Sequence, residues 1–132
     1  MNYTLDTNTV AAVLRGELLV ARQLERLVAD GHEVSLNVIS YFETRRGLKS
    51  EAVRKKRLFE ALLQEVRVLD LDRNALDISA DIYADLRRKG TPLEDADILV
   101  AGTALANDAV LVTRNLKHFE RIEGLRLESW EA

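Results

Sequence analysis

Cysteine is absent from this 132-residue chain, which excludes disulfide staples, thiolate zinc sites and cysteine nucleophiles together. Histidine occurs only as His32 and His118, too sparse for a histidine-rich metal site. Proline occurs once, at Pro92, and the six glycines are scattered as punctuation, so no linker, low-complexity tract or repeat divides the chain. No apolar run approaches membrane-spanning length, and the start MNYTLDT lacks a basic segment followed by an apolar core. A cytoplasmic protein without membrane contact is expected. Charge of one sign is also scarce: the formal net charge is −3, so binding to nucleic acid would have to use local basic patches.

What is present reads as one ordinary domain spanning residues 1–132, 47% hydrophobic and 31% charged. Helical periodicity dominates. Leu24, Leu27 and Val28 mark one face of a helix over about 17–29; Phe59, Leu62, Leu63 and Val66 mark a second; Leu76, Ile82, Tyr83 and Leu86 mark a third. Val38, Ile39 and Phe42 read as the buried side of a shorter helix after Asn37. Between the helices lie short β-like runs: TL before Asp6, EVSL at 33–36, VRVLDL at 66–71, AVLVT at 109–113 and LRLES near the end. The first two and the fourth are brief and apolar, as strands covered on both faces should be. Alternation of strands with helices predicts an α/β fold with a mainly parallel central sheet flanked by helices. Ligands of such sheets bind outside the carboxyl ends of the strands.

The polar residues at those ends are mostly acids. Asp6 follows the first strand, where D-T-N also suits a turn or helix cap. Glu43 lies four residues beyond Ile39, at the border of that helix's buried face, where it could equally pair with Arg46 or Lys49. In TPLEDADILVAGTALA, Thr91, Pro92 and Glu94 predict a helix start, with Asp95 and Asp97 in its first turns. Both aspartates would complement the helix dipole. Asp97 shares a stripe with Ala101 and Ala104, which marks it as the inward acid and Asp95 as the outward one, and nearby Gly102 would let the helix approach other backbone closely. After the fourth strand, VTRNLKHF sets Thr113 and Asn115 at another tip. Gathered carboxylates persist only if paired or bound to a cation, and an all-oxygen set suits Mg²⁺ or Mn²⁺. Such an ion lowers the pKa of water and stabilises charge on a phosphoryl oxygen, which points to phosphodiester hydrolysis.

Four segments together resemble the PIN-domain ribonucleases, particularly the VapC-like toxins of bacterial toxin–antitoxin pairs. They are LDTN, NVISYFETRRG, GTP, and DADILVAGTALANDAVLVTRNLKHFERIEGLRLESW, which run in order along nearly the whole chain. The resemblance implies a three-layer PIN-like fold and Mg²⁺- or Mn²⁺-dependent endonuclease action on structured RNA, such as tRNA or rRNA loops. It implies Asp6 and Asp97 as the metal carboxylates, Glu43 as the third acid, positioning or deprotonating the attacking water, and Asn8 and Thr113 as groups that orient the acids. Asn115 stands where many relatives carry a fourth acid, which lowers the local charge by one against a second, independently bound ion. Thr44 replaces a more usual leucine, a surface or packing variation. A homodimer and a small inhibitory antitoxin are implied as partners.

Basic residues offer RNA contacts at Arg45, Arg46 and Lys49, at 54–57, at 87–89, and at Arg114 with Lys117. Arg46 and Arg114 stand nearest the expected acids, although charge runs on helices are more often solvated faces. Two rival readings are a haloacid-dehalogenase-like phosphatase and a PIN-like binding module without catalysis. The phosphatase reading rests on DTNTV as its nucleophile motif, but Asn8 replaces the second acid, little chain is left for a cap, and Glu43 has no role.

Overall fold

The computed structural model describes residues 1–131. It contains β1 (Asn2–Leu5), α1 (Thr7–Leu14), α2 (Leu18–Ala29), β2 (Glu33–Asn37), α3 (Val38–Gly47), α4 (Val53–Glu65), β3 (Arg67–Leu69), α5 (Arg73–Arg88), α6 (Asp95–Ala106), β4 (Ala109–Val112), α7 (Leu116–Phe119) and β5 (Leu127–Glu128). The five strands form one sheet in the order β3-β2-β1-β4-β5, and every pairing is parallel. The three strands that read as doubly covered, β2, β1 and β4, occupy its centre.

Alternation along β4 shows how the layers form. Val110 and Val112 face a core with α1, α2 and α4, built around Leu5, Val10, Leu36, Phe59 and Trp130. Leu111 faces the opposite core, where α5 and α6 contribute Ile82, Leu86, Ile98, Val100, Ala101 and Ala104 beside Phe119. Strands buried on both faces read as near-continuous apolar runs, and β4, AVLV, is buried at all four positions.

Two helices are rotated relative to their sequence periodicity. In α3 the buried residues are Ser40 and Thr44, while Phe42 is 59% exposed beneath the guanidinium of Arg46. A capping box sets this rotation: the Asn37 side chain accepts from the Ser40 N–H at 2.8 Å, and Ser40 Oγ accepts from the Asn37 N–H at 3.2 Å. Asn37 is the last residue of β2, so the cap ties the polar stripe of α3 to the sheet edge. Thr44 is accordingly a packing position, not a surface one. In α5 the inward stripe is Ala75, Ser79, Ile82 and Leu86, leaving Leu76 and Tyr83 exposed. Close approach to α6 demands this: a Cβ at Gly102 would sit 1.9 Å from Ser79 Oγ and 3.0 Å from the Ala75 carbonyl oxygen. Small residues must face one another there, and the bulky ones turn outward.

The predicted helix start at Thr91 is corrected. Thr91 instead closes α5: its N–H donates to the Leu86 carbonyl at 2.9 Å, and Gly90 N–H donates to Arg87 at 3.1 Å. This is a Schellman ending, made possible by Gly90 at φ +71°. Helix α6 then begins at Asp95, with Glu94 as an N-cap that makes no side-chain capping bond.

Candidate active site

Parallel register brings the central strand ends level, since Leu5 pairs with Leu36 on one side and Val112 on the other. The next residues on these strands, Asp6, Asn37 and Thr113, form a polar row at the carboxyl edge of an apolar sheet.

Asp6 is buried and caps α1. Its Oδ1 accepts from the Thr7 N–H at 2.9 Å and its Oδ2 accepts from the Thr113 hydroxyl at 2.8 Å. The capping role and the inward-facing carboxylate are thus one arrangement. Burial pushes this carboxyl above the usual aspartate range; the Thr113 and Thr7 hydrogen bonds oppose the rise, and the charges of Asp97 and Glu43 add to it. Thr113 Oγ1 also accepts from the Asn115 N–H at 3.0 Å and from Asn8 Nδ2 at 3.4 Å. Asn8 Oδ1 in turn accepts from the Arg114 N–H at 3.1 Å, so Asn8 and Thr113 lace the β4 exit to the start of α1.

Asp97 lies half-buried in the first turn of α6, and Asp95 beside it is exposed. Burial raises its pKa, the proximity of His118 opposes that, and Glu94 and Glu43 reinforce it. His118 Nδ1 stands 3.8 Å from Asp97 Oδ2 and 2.7 Å from Asn115 Nδ2. Glu43 is steadied by Thr7, whose hydroxyl donates to Oε1 at 2.6 Å, while Arg46 lies 3.7 Å from Oε2. The Arg46 pairing is exposed, and such pairs contribute at most about 1 kcal/mol.

The structure therefore brings Asp6, Glu43, Asp97 and Asn115 to one mouth, with Asn8 and Thr113 behind them. Arg114, expected as an RNA contact, pairs within the chain. Its guanidinium engages Glu17 at both oxygens and lies 4.0 Å from Glu131, and Arg15 binds the same Glu17 at 2.6 Å. That pairing holds the Glu17 carboxyl below, and the Arg114 guanidinium above, its ordinary range. Three contributors carry little or no signal in the sequence. Thr7 reads as turn chemistry, and His118 as one of only two histidines, although its i,i+3 spacing from Asn115 is a usable signal. Glu17 lies 97 residues from Arg114 and left no local signal.

Among the described residues, no three His, Asp or Glu side chains close around a point as a preformed metal cage. The donor set is instead open and all oxygen, and among those residues neither Asp6 nor Asp97 pairs with a lysine or arginine. This fits Mg²⁺ or Mn²⁺ better than Zn²⁺, because Mg²⁺ keeps several waters and binds through one or two carboxylates.

An all-parallel α/β sheet with acids at its carboxyl edge is the setting in which the comparisons fall. The chain belongs to the PIN domain family, which matches over residues 3–125. The phosphatase reading of DTNTV is thereby set aside. The chain is similar to the tRNA(fMet)-specific endonuclease VapC of Salmonella typhimurium, with 33% identity over 98% of each chain. It is also similar to Ribonuclease VapC2 of Rickettsia felis, with 28% identity over 99% of each chain. Among solved structures, it resembles a chain of VapBC2 from Rickettsia felis bound to a promoter DNA fragment, at TM-score 0.91 and 25% identity over 99% of this chain and 100% of that one. DNA-bound VapBC from Salmonella typhimurium aligns at TM-score 0.88 and 30% identity, over 99% of each chain.

Proposed function

We propose that this protein is a single-domain, metal-dependent endoribonuclease, the toxin of a toxin–antitoxin pair, acting in the cytoplasm on structured RNA such as a tRNA. One observation carries the reading: Asp6, Glu43 and Asp97, from three separate elements, converge at the carboxyl edge of a PIN-domain sheet. Full-length similarity to proteins named as endonucleases and ribonucleases supports the reaction class. Similarity to VapBC assemblies supports a small antitoxin as partner; the toxin itself is read as a homodimer.

Asp6 and Asp97 would hold Mg²⁺ or Mn²⁺, which when bound would lower the pKa of water and offset charge on the phosphoryl oxygen. The chain's own residues do the rest. Thr113 and the Thr7 N–H hold both oxygens of Asp6 in one orientation before substrate arrives. The Thr7 hydroxyl turns Glu43 so that its Oε2 takes the proton of the attacking water. Asn115, bonded to His118 beside Asp97, presents a neutral amide at the rim.

Purified protein free of antitoxin is incubated with total tRNA in Mn²⁺ or in EDTA, and new RNA 5′ ends are mapped. Discrete new ends in Mn²⁺ that vanish in EDTA are expected. Equal cutting in EDTA overturns the metal mechanism, and intact RNA under both conditions revives the binding-module reading.

A further inference from the structure

Within residues 45–57 there are seven basic side chains and one acid, Glu51, a local balance of six positive charges in a chain whose formal net charge is −3. All but Lys56 of the seven are exposed. Elsewhere, among the described residues, half of the arginines and lysines are held by carboxylates, including Arg67 by Glu33, Arg88 and Lys89 by Asp85, Arg114 by Glu17, and Arg126 by Asp108. In this stretch, among the described residues, only Arg46 has one, Glu43 at 3.7 Å.

A second feature sharpens the point. Helix α4 opens here with Ala52 as N-cap, no side-chain capping bond and no acid in its first turn. Instead Arg54, Lys55 and Lys56 crowd the positive end of the helix dipole, which disfavours them there. The Val53 N–H donates to the Glu51 carbonyl at 2.9 Å, and the surplus cations around this turn favour a polyanion. A cavity of about 200 Å³ lined by Thr7, Glu43, Thr44, Leu48, Arg15 and Lys55 joins this end of α4 to Glu43.

We propose that residues 45–57 are the docking surface for the RNA phosphate backbone, with Lys55 and the N-terminus of α4 holding the phosphates beside the scissile bond. This rests on the ribonuclease reading, to which it adds the direction of approach: over the α3–α4 turn and not past Arg114. The pairing of Arg114 with Glu17 removes that side chain from the phosphate path.

The test uses the full chain carrying Asp97→Asn, in EDTA, and measures binding of a fluorescein-labelled RNA hairpin by anisotropy across a KCl series. Adding Arg54→Gln, Lys55→Gln, Lys56→Gln and Arg57→Gln together should weaken binding at least about tenfold at low salt. The slope of log K against log[KCl] should flatten by roughly one for each lost phosphate contact. Arg73→Gln with Arg121→Gln, which removes two charges outside this stretch, is the control and should change neither. The four sites are exposed or half-exposed, and an unchanged melting temperature verifies folding. An undiminished slope, or an equal loss in the control, overturns the proposal. So does an undiminished slope combined with loss of binding to polyglutamate, which would assign the surface to an acidic polypeptide. If the parent protein cuts no RNA but the slope still flattens, the docking surface stands and the nuclease reading falls.

Discussion

Asp6 and Asp97 arrive at the same mouth by opposite means. Asp6 sits on a strand tip, buried, with each carboxylate oxygen committed to a donor at 2.9 Å or less. Asp97 rides on the first turn of a helix, half-exposed, and among the described residues its near side-chain partner is a histidine 3.8 Å away. The floor of the site is thus built before any ligand arrives, whereas the rim keeps freedom to adjust. The cost of that floor is a buried carboxylate, offset by hydrogen bonds that a strand tip next to another strand tip can supply. A helix turn facing solvent has no such neighbours.

The largest expected effect leaves that comparison untouched. Asp6→Asn and Asp97→Asn should each reduce RNA cleavage more than about a hundredfold, because loss of a ligand must exceed the roughly 10–100-fold typical of supporting residues. Product quantified on gels in Mn²⁺ checks it; substantial activity in either variant would remove that acid from the metal set.

The next pair separates floor from rim. Thr113→Val leaves Asp6 Oδ2 without its donor and also strips an acceptor from the Asn115 N–H, so cleavage should fall by about 10–100-fold and Thr113→Ser should restore it. His118→Ala should cost less, about tenfold at most, its target being only half-buried. Steady-state rates for the three variants decide the matter, and a His118 effect equal to that of Thr113 would mean the rim is as preorganised as the floor.

Seating of α6, which carries Asp97, depends on Gly102. Gly102→Ala should destabilise the fold by about 1–3 kcal/mol, because the new Cβ collides with Ser79 and the Ala75 backbone. Urea denaturation measures this, and adding Ser79→Ala should recover part of the loss by removing the hydroxyl.

The smallest effect is a pH signature. Both aspartates have native pKa values raised by burial. Above about pH 3.9, the ordinary aspartate value, the unfolded chain releases these protons first, so stability falls as pH climbs through the raised native values. Asp97→Asn should therefore raise the melting temperature at neutral pH, by a few degrees at most, with the gain vanishing below the ordinary value. Mg²⁺ should raise the melting temperature of the parent protein more than that of the variant. Thermal scans across pH, with and without Mg²⁺, read both effects.

Much of this was legible from residues in order. Short apolar runs flanked by helical stripes predicted the sheet, and the strands that read as doubly buried are the central ones. Asp6, Asn115 and Thr113 could be placed because a parallel sheet puts its loops where strands end. The rotations of α3 and α5 could not. Phe42 and Tyr83 look like core residues by spacing, yet a capping box at Asn37 and a close helix crossing at Gly102 turn both outward. Hydrophobicity ranks what burial would stabilise, but it does not know which face a cap or a neighbouring backbone will permit. Thr91 failed for a related reason: its helix-start signal was used by the end of the preceding helix.

By itself, then, the order of residues determined the α/β class, the PIN resemblance, and the carboxylates and amides available for chemistry. Local periodicity, turn chemistry and strand polarity act over a few residues and survive without coordinates. Only the tertiary structure decided which side chains answer one another: Thr7 with Glu43, His118 with Asn115 and Asp97, and Arg114 with Glu17, while among the described residues the cations of 45–57 other than Arg46 have no carboxylate partner. A charge or a hydroxyl takes its role from what lies within about 4 Å of it, and folding brings those neighbours from distant parts of the chain.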